Sequence, residues 1–299
     1  MISLVCPNRS FCKLKTYNDI YLSTRRRLHA AGIAAFDLEA RLIVGHASSK
    51  SREELVSSSR FFVMDSAVIH AVDDMIERRL GGEPVAYIVG EWEFYGLPMI
   101  VSDAVLVPRV DTEVLADTAI SLMKQRGGRT RLLDLCAGSG CVGIAVAANV
   151  PDCRVVLADN SPQAMAICRA NMLKNRVSRN TTAIEIDALQ IPPTLLGIFD
   201  AIVSNPPYIP TEEISGLYPS VRDYEPISAL DGGPDGLDFF RFIAGNWHVL
   251  LRQGGHLAFE CGMGQAGVVR VIMEDSGFRN IKTHADTLNI QRVIVGKKK

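Results

Sequence analysis

Arg131-Leu132-Leu133-Asp134-Leu135-Cys136-Ala137-Gly138-Ser139-Gly140 is an apolar run that ends in a glycine loop, and a helical stretch near Val142 to Asn149 follows it. A short buried strand that feeds a helix through glycines is the opening unit of an α/β sheet. Glycine lets the backbone turn tightly and lets a ligand approach it closely. We read this loop as G-x-G rather than as the dinucleotide pattern G-x-G-x-x-G, a reading that gives a pyrophosphate cradle less support. Nor does it match G-x-x-x-x-G-K-[ST], so it is not a P-loop.

Strands and helices alternate from this point onward. Val155 to Ala158 reads as the second strand, and Ser161-Pro162 opens the next helix as N-cap and first helical residue. Ala183 to Ile186 and Ala201 to Val203 read as the third and fourth strands. Asp238 to Leu251 reads as a helix, Leu257 to Cys261 as the fifth strand, and Gln265 to Asp275 as a helix closed by Gly277. The order predicts a doubly wound, mainly parallel sheet. Ile281 to Thr283 and Gln291 to Val295 read as the last strands. Only Asp286-Thr287-Leu288-Asn289 is left between them as a turn, too little for a parallel crossover, so they form an antiparallel end hairpin.

The strand ends carry the chemistry. Asp159 follows the glycines by about twenty residues, where an acid can accept hydrogen bonds from both ribose hydroxyls. A residue that merely caps the strand end is the plain alternative. Asp187 ends the third strand and is either an acceptor for an adenine amino group or a turn residue. The fourth strand runs into Ser204-Asn205-Pro206-Pro207-Tyr208. Two prolines stiffen that loop and remove two backbone donors, leaving its carbonyls free to accept. Such a set suits a planar NH2 group: Asn205 Oδ1 and the Pro206 carbonyl accept its two hydrogens, and Tyr208 packs on its plane. Polar residues at four successive strand ends favour a nucleoside ligand and a reacting amino group in one crevice.

The amino-terminal third reads differently. Asn18 to Ala31 is predicted helical and ends at Gly32, Asp37 is expected to cap a second helix through Ala47, and Ser51-Arg52-Glu53-Glu54 matches a capping box. Asp65 is expected to cap a long helix with Val68, Ile69, Val72, Met75, Ile76 and Leu80 on one face, ended by Gly81-Gly82. No catalytic constellation occurs here. Arg25-Arg26-Arg27 is a solvated helix face or a docking point. Trp92, Phe94, Met99, Ile100 and Val101 around Gly96-Leu97-Pro98 read as a hairpin, and Asp111-Thr112-Glu113 as the start of a helix with Val114, Leu115, Leu122 and Met123 on one face. The expected organisation is a helical domain over 1–82, a β-hairpin linker over 83–110 and a catalytic domain over 111–299.

Composition bounds the function. The 299 residues are 47% hydrophobic and 22% charged, with a formal net charge of −1, which fits a globular protein with a sizeable core. That balance argues against a broad nucleic-acid footprint, although it leaves room for a local basic patch. The seven cysteines, Cys6, Cys12, Cys136, Cys141, Cys153, Cys168 and Cys261, include no C-x-x-C pair and read as reduced thiols. The six histidines form no H-x-x-x-H spacing, so no metal site is expected. Met1-Ile2-Ser3-Leu4-Val5-Cys6-Pro7 lacks the pattern of a signal peptide, and no apolar run of about eighteen residues predicts a membrane span. The expected localisation is cytoplasmic.

The loop Asp134 to Gly140, Asp159, Asn205-Pro206-Pro207-Tyr208 and the end hairpin together resemble class I S-adenosylmethionine-dependent methyltransferases, whose Asn-Pro-Pro-Tyr members modify an amide or exocyclic amino nitrogen. More narrowly, Glu83-Pro84-Val85-Ala86-Tyr87-Ile88-Val89-Gly90, Phe94-Tyr95-Gly96, Val107-Pro108-Arg109-Val110-Asp111-Thr112-Glu113 and Leu230-Asp231-Gly232-Gly233-Pro234-Asp235-Gly236-Leu237 resemble the PrmC/HemK family. The resemblance covers about residues 18–299. It implies a class I (Rossmann-like) methyltransferase fold with a small N-terminal helical bundle that contacts the substrate. It also implies N5-methylation of the glutamine in the GGQ motif of peptide chain release factors, with S-adenosyl-L-methionine as cofactor. Carried over by motif, Asp134, Cys136, Ala137, Gly138, Gly140, Asp159, Asp187 and Asn205 would line the cofactor site. Gly138 and Gly140 would hold its methionine part, Asp159 the ribose, and Asp187 would lie near adenine. Asn205, Pro206, Pro207 and Tyr208 would bind the glutamine, with Asn205, Pro206 and Tyr208 as the catalytic set. Two departures stand out: Cys136 and Ala137 occupy positions where the family usually has glycine and often threonine, and Ala188-Leu189 follows Asp187 where an aromatic residue is frequent. The alternative activity is an adenine-N6 nucleic-acid methyltransferase, which would need a base-flipping pocket and a basic groove.

Overall fold

The computed structural model describes residues 14–299. Cys6, Cys12 and the segment read for a signal peptide lie outside the described residues. Backbone contacts divide the chain into two compact units, with the boundary between Val89 and Gly90.

The first unit is helical: α1 (Tyr17–Ala30), α2 (Phe36–Ala47), α3 (Arg52–Ser57), α4 (Ser66–Leu80) and α5 (Val85–Val89). Its core includes Ile20, Leu28, Ile43 and Val44; of the face read along α4, Val72, Met75 and Ile76 are buried, Val68 and Ile69 are half-buried, and Leu80 is exposed. The capping box at Ser51 and Glu54 is present, and Asp65 accepts a hydrogen bond from the Ala67 amide at 2.8 Å. A second capping box, Thr16 with Asp19, starts α1. Asp37 is not a cap. The N-cap position of α2 is Ala35, and the Asp37 carboxylate accepts from Tyr21 Oη at 2.6 Å, Arg25 Nε at 2.8 Å and Arg41 Nη2 at 2.9 Å. Charged tertiary partners outcompete the backbone amides for a carboxylate one residue inside the helix. Helix α5 was not anticipated, because its five residues carry no cap or periodic pattern long enough to read.

The second unit opens with the hairpin β1 (Glu91–Phe94) and β2 (Leu97–Ile100). Its turn is Tyr95-Gly96, two residues with φ of 55° and 71°, so Leu97 and Pro98 belong to the strand and not to the turn. Positive φ at both central positions is the type I′ geometry whose twist matches paired strands. After a 3₁₀ turn (Val110–Thr112) come α6 (Glu113–Arg126), β3 (Thr130–Leu135), α7 (Cys141–Asn149), β4 (Cys153–Asp159), α8 (Pro162–Lys174), β5 (Thr181–Glu185) and β6 (Phe199–Ser204). The short α9 (Pro219–Arg222) lies in a long connection to α10 (Asp238–Asn246), and β7 (Leu251–Glu260), α11 (Ala266–Asp275), β8 (Phe278–Ala285) and β9 (Gln291–Lys298) follow.

These strands make one seven-stranded sheet in the order β5-β4-β3-β6-β7-β9-β8. The first five pair in parallel, and β9 pairs antiparallel with both β7 and β8. Helices α6, α7 and α8 pack side by side, while α10 and α11 pack against each other. Phe199, Phe240, Trp247 and Phe259 are completely buried, and Trp247 Nε1 donates to the Ala188 carbonyl at 2.9 Å. The parallel order puts the carboxyl ends of β3, β4, β5 and β6 at one rim, where open α/β sheets bind ligands.

Candidate active site

A cleft enclosing about 900 Å³ of empty space, part of it open to solvent, lies at that rim. Asp134, Cys136, Ala137, Gly138, Asp159, Asp187, Asn205 and Pro207 all line it. Gly140, Pro206 and Tyr208 do not. Gly140 is the left-handed residue before α7, with φ of 81°, and a Cβ there would meet Cys168 Sγ at 2.8 Å. Pro206 is buried. Tyr208 packs its ring against the core, and its carbonyl accepts from Gln265 Nε2 at 2.9 Å.

The glycine pattern extends beyond G-x-G. Gly143 follows Gly140 by three positions, so the chain does carry G-x-G-x-x-G. A Cβ on Gly143 would fall 2.2 Å from Leu157 Cδ2, so α7 can lie this close to β4 only with glycine there. The loop is nevertheless no pyrophosphate cradle. The Asp134 carboxylate already accepts from the Gly143 amide at 2.8 Å, filling the helix N-terminus with a protein anion. Gly140 has no side chain with which to cap α7, and Asp134 reaches across from β3 to do so. Burial pushes the Asp134 carboxyl up to about 7, against the pull of the Gly143 amide, and the negative charge of Asp159 adds to the rise.

Asp159 Oδ2 accepts from the Gly138 amide at 2.8 Å and Oδ1 from the Ser161 amide at 3.0 Å. It therefore holds the glycine loop against the end of β4. Each carboxylate oxygen has a second lone pair, so the group can accept further hydrogen bonds. Burial raises its pKa, and its backbone donors oppose the rise. Asp187 Oδ1 accepts from the Leu189 amide at 2.8 Å, so it closes a turn as well as lining the cleft. The missing aromatic residue after Asp187 has a counterpart from elsewhere: Phe239, on α10, joins the cleft lining beside Ala188. Cys136 has φ of 57°, a conformation that costs a non-glycine residue about 1 kcal/mol, and its thiol is pushed up by burial.

At the end of β6, Asn205 Nδ2 donates to Thr112 Oγ1 at 3.3 Å. Thr112 is buried and holds the N-cap position of α6, yet its side chain makes no cap hydrogen bond. Its hydroxyl acts instead on the carboxylate of Glu260, the last residue of β7, and favours the ionised form. Burial dominates at Glu260, pushing it up to about 7, and its Oε2 has no hydrogen-bond partner. Arg109, the one basic residue of the lining among the described residues, pairs with buried Glu225 and so ties the 3₁₀ segment to the connection that follows α9. Thr112, Arg109, Glu225, Phe239 and Glu260 were not singled out as site residues. For Glu260 a signal existed, since the rule of a polar residue at each strand end extends to the fifth strand. Thr112 was read only as part of a helix start. Among the described residues, no cluster of histidine, cysteine, aspartate and glutamate could hold a metal ion, and no helix is long and apolar enough to cross a membrane.

Comparison with known proteins agrees with this fold. Residues 111–216 match the family described as methyltransferase small domain, and residues 19–90 match the PrmC N-terminal domain. A release factor glutamine methyltransferase of Geobacter sulfurreducens is 40% identical over 75% of this chain and 76% of its own length. One of Thermodesulfovibrio yellowstonii is 36% identical over 87% of this chain and 92% of its own length. A methyltransferase structure from Pyrococcus furiosus has a TM-score of 0.50 at 17% identity, covers 76% of this chain and 98% of its own, and shares the fold. With its helical first unit, its class I methyltransferase sheet and relatives of this identity along most of its length, the chain belongs to the release factor glutamine methyltransferase family.

Proposed function

We propose that this enzyme transfers the methyl group of S-adenosylmethionine to the side-chain nitrogen of the glutamine in the GGQ motif of peptide chain release factors, in the cytoplasm. The observation that carries the reading is the polarity of Asn205: its amide nitrogen is turned to Thr112, so its carbonyl oxygen points the other way, as an acceptor for a substrate NH2. The charge of the cleft supports the cofactor. Asp134, Asp159 and Asp187 face Arg109 alone, a balance that suits a sulfonium cation better than the phosphates of a dinucleotide.

The cofactor, when bound, supplies an electrophilic methyl group on sulfur. The residues have to improve a poor nucleophile, since the lone pair of an amide nitrogen is delocalised. Asn205 Oδ1 and the backbone carbonyl of Pro206, which lies between the two lining residues Asn205 and Pro207 although the Pro206 ring is buried, accept the two hydrogens of the glutamine NH2, which raises electron density on nitrogen and fixes its line of approach. Positioning of this kind lowers a barrier by up to about 7–11 kcal/mol at its limit. Asn205 is too weak a base to take the proton, which leaves to water after transfer. Asp159 would hold the ribose, and Asp187 with Phe239 would bound the adenine.

The helical first unit docks the release factor, because much of the affinity for a short glutamine loop must come from contacts remote from the reacting amide. Incubation with S-adenosylmethionine and a GGQ-containing release factor, followed by peptide mass analysis, tests the assignment. One added methyl group on the GGQ glutamine is expected; methylated adenine in nucleic acid, or no methylation, would sink it. The adenine alternative lacks a basic cleft. Arg129, Arg154, Arg176 and Arg179 gather at a separate concavity near the amino ends of β3 and β4, away from the carboxyl-end rim.

A further inference from the structure

We propose that Glu260 is a positioning residue that acts through the Thr112 hydroxyl to fix which way round the Asn205 carboxamide sits. The inference rests on the function proposed above for the cleft and deepens it. A carboxamide presents an acceptor on one side and donors on the other, and the two orientations differ little in shape. Something must choose between them if Oδ1 is to meet the substrate nitrogen.

A hydroxyl alone cannot choose, since it both donates and accepts. An ionised carboxylate can, since it only accepts. With Glu260 beside it, the Thr112 hydroxyl gives its one proton to the carboxylate, and its oxygen is left to accept from Asn205 Nδ2, the bond observed at 3.3 Å. The parallel pairing of Ser204 with Phe259 brings the next residues of β6 and β7, Asn205 and Glu260, alongside each other.

Three further observations set Glu260 apart from a structural ion pair. It is 2% exposed and has no salt bridge among the described residues, because Arg292 directs Nη2 to Asp111 and Nε to Asp286. One of its oxygens is an orphan. Thr112 has helical backbone angles, φ −65° and ψ −18°, so its hydroxyl is not drawn into a cap hydrogen bond with α6 and stays available to its side-chain neighbours. A buried carboxylate without a cation is costly to keep, and an apolar residue there would cost less. Besides Thr112, the groups that act on Glu260 are Arg109 and Asp111 from the 3₁₀ segment and Arg292 from β9; Tyr208, Cys261 and Cys141 of α7 feel its charge in turn. Their balance leaves Glu260 titrating up at about 7, so the orienting charge is lost as pH falls through that value.

The test compares Glu260→Gln, Thr112→Val, their double mutant and Thr112→Ser in the full chain. Each of the first two should lower kcat by about 10- to 100-fold, the cost of a misplaced reacting group. KM for release factor and affinity for S-adenosylmethionine should change by less than about twofold. The double mutant should be no worse than Thr112→Val, and Thr112→Ser should restore turnover. The acid limb of the kcat profile near pH 7 should vanish in Glu260→Gln and persist in Asp134→Asn. Wild-type turnover in Glu260→Gln, or losses that multiply in the double mutant, would overturn the proposal. A readout that needs no substrate separates it from the assigned function. The side-chain ¹⁵NH2 signal of Asn205 should shift as pH crosses about 7 in wild type and not in Glu260→Gln. If release factor is not methylated but that shift is seen, the function fails and the orienting link stands; a signal that ignores Glu260 rejects the link.

Discussion

Glu39 in the helical unit and Glu260 in the methyltransferase unit are both nearly sealed from solvent, at 7% and 2% exposure. Glu39 receives two hydrogen bonds from Arg79, at 2.6 and 3.2 Å. Its neighbours are kept the same way: Arg25 and Arg41 hold Asp37, and Arg27 holds Asp73 and Glu77. Glu260 has a hydroxyl and no paired guanidinium, and Asp134, at 2% exposure, has a backbone amide and no cation. A bidentate arginine offsets much of the cost of desolvating a carboxylate; a hydroxyl or an amide offsets less. The helical unit uses its acids to hold helices together. The methyltransferase unit keeps unpaired acids at the cleft, where they cost stability and shape a site.

The largest break in that contrast should come from Asn205→Ala. Methyl transfer should fall by about 10³-fold, the scale of losing a group that acts on the reacting atoms, while calorimetry finds cofactor affinity nearly unchanged and Tm is kept. Near-normal turnover would remove Asn205 from the chemistry. Asp159→Ala should act on binding instead, weakening S-adenosylmethionine by at least about tenfold, since hydrogen bonds to a charged acceptor are worth about 1.5–3 kcal/mol each. An unchanged Kd would leave Asp159 as a brace for the glycine loop only.

Stability should respond in opposite directions at the two glutamates. Glu39→Ala should lower unfolding free energy by roughly 2 kcal/mol, because Arg79 loses its partner while keeping some water, and should leave cofactor affinity alone. Glu260 titrates higher in the folded chain than unfolded, so the native state holds the extra proton between about pH 4.5 and 7 and stability falls as pH rises through that window. Glu260→Gln removes the buried charge and should stabilise the protein above about pH 8, by on the order of 1–3 kcal/mol, with the gain shrinking toward pH 5. Denaturant titrations at both pH values would show it, and a loss of stability at high pH would mean that the carboxylate is better satisfied than its partners indicate. The smallest effect belongs to Cys136→Gly. Relief of the left-handed conformation should raise stability by less than about 1 kcal/mol, or Tm by about 2 °C. A clear fall in Tm would show that thiol packing outweighs the strain.

Much of this molecule could be read along the chain. Apolar runs ending in Asp134, Asp159, Asp187 and Asn205 marked the strands and the rim in one stroke, because a parallel strand buried on both faces is a continuous apolar segment that stops where solvent begins. The five residues between β8 and β9, Asp286 to Ile290, are too few for a parallel crossover and so make that pair antiparallel. Gly143, three positions after Gly140, is equally legible in the chain. Other features had no local signature. Asp37 has the chemistry of a cap and was claimed by Tyr21, Arg25 and Arg41. The hairpin turns at Tyr95-Gly96, where strand twist decides the turn type.

By itself, then, the sequence determined the order of elements, the glycine loop, the strand-end acids and the Asn-Pro-Pro-Tyr corner, all of which depend on residues a few positions apart. Tertiary structure alone decided how that corner is oriented. Thr112 and Asn205 stand 93 residues apart, and Glu260 reaches them only once β7 has paired with β6. The direction of a hydrogen bond at Asn205 follows from which neighbours can donate and which can only accept, and those neighbours are chosen by sheet register rather than by any pattern along the chain.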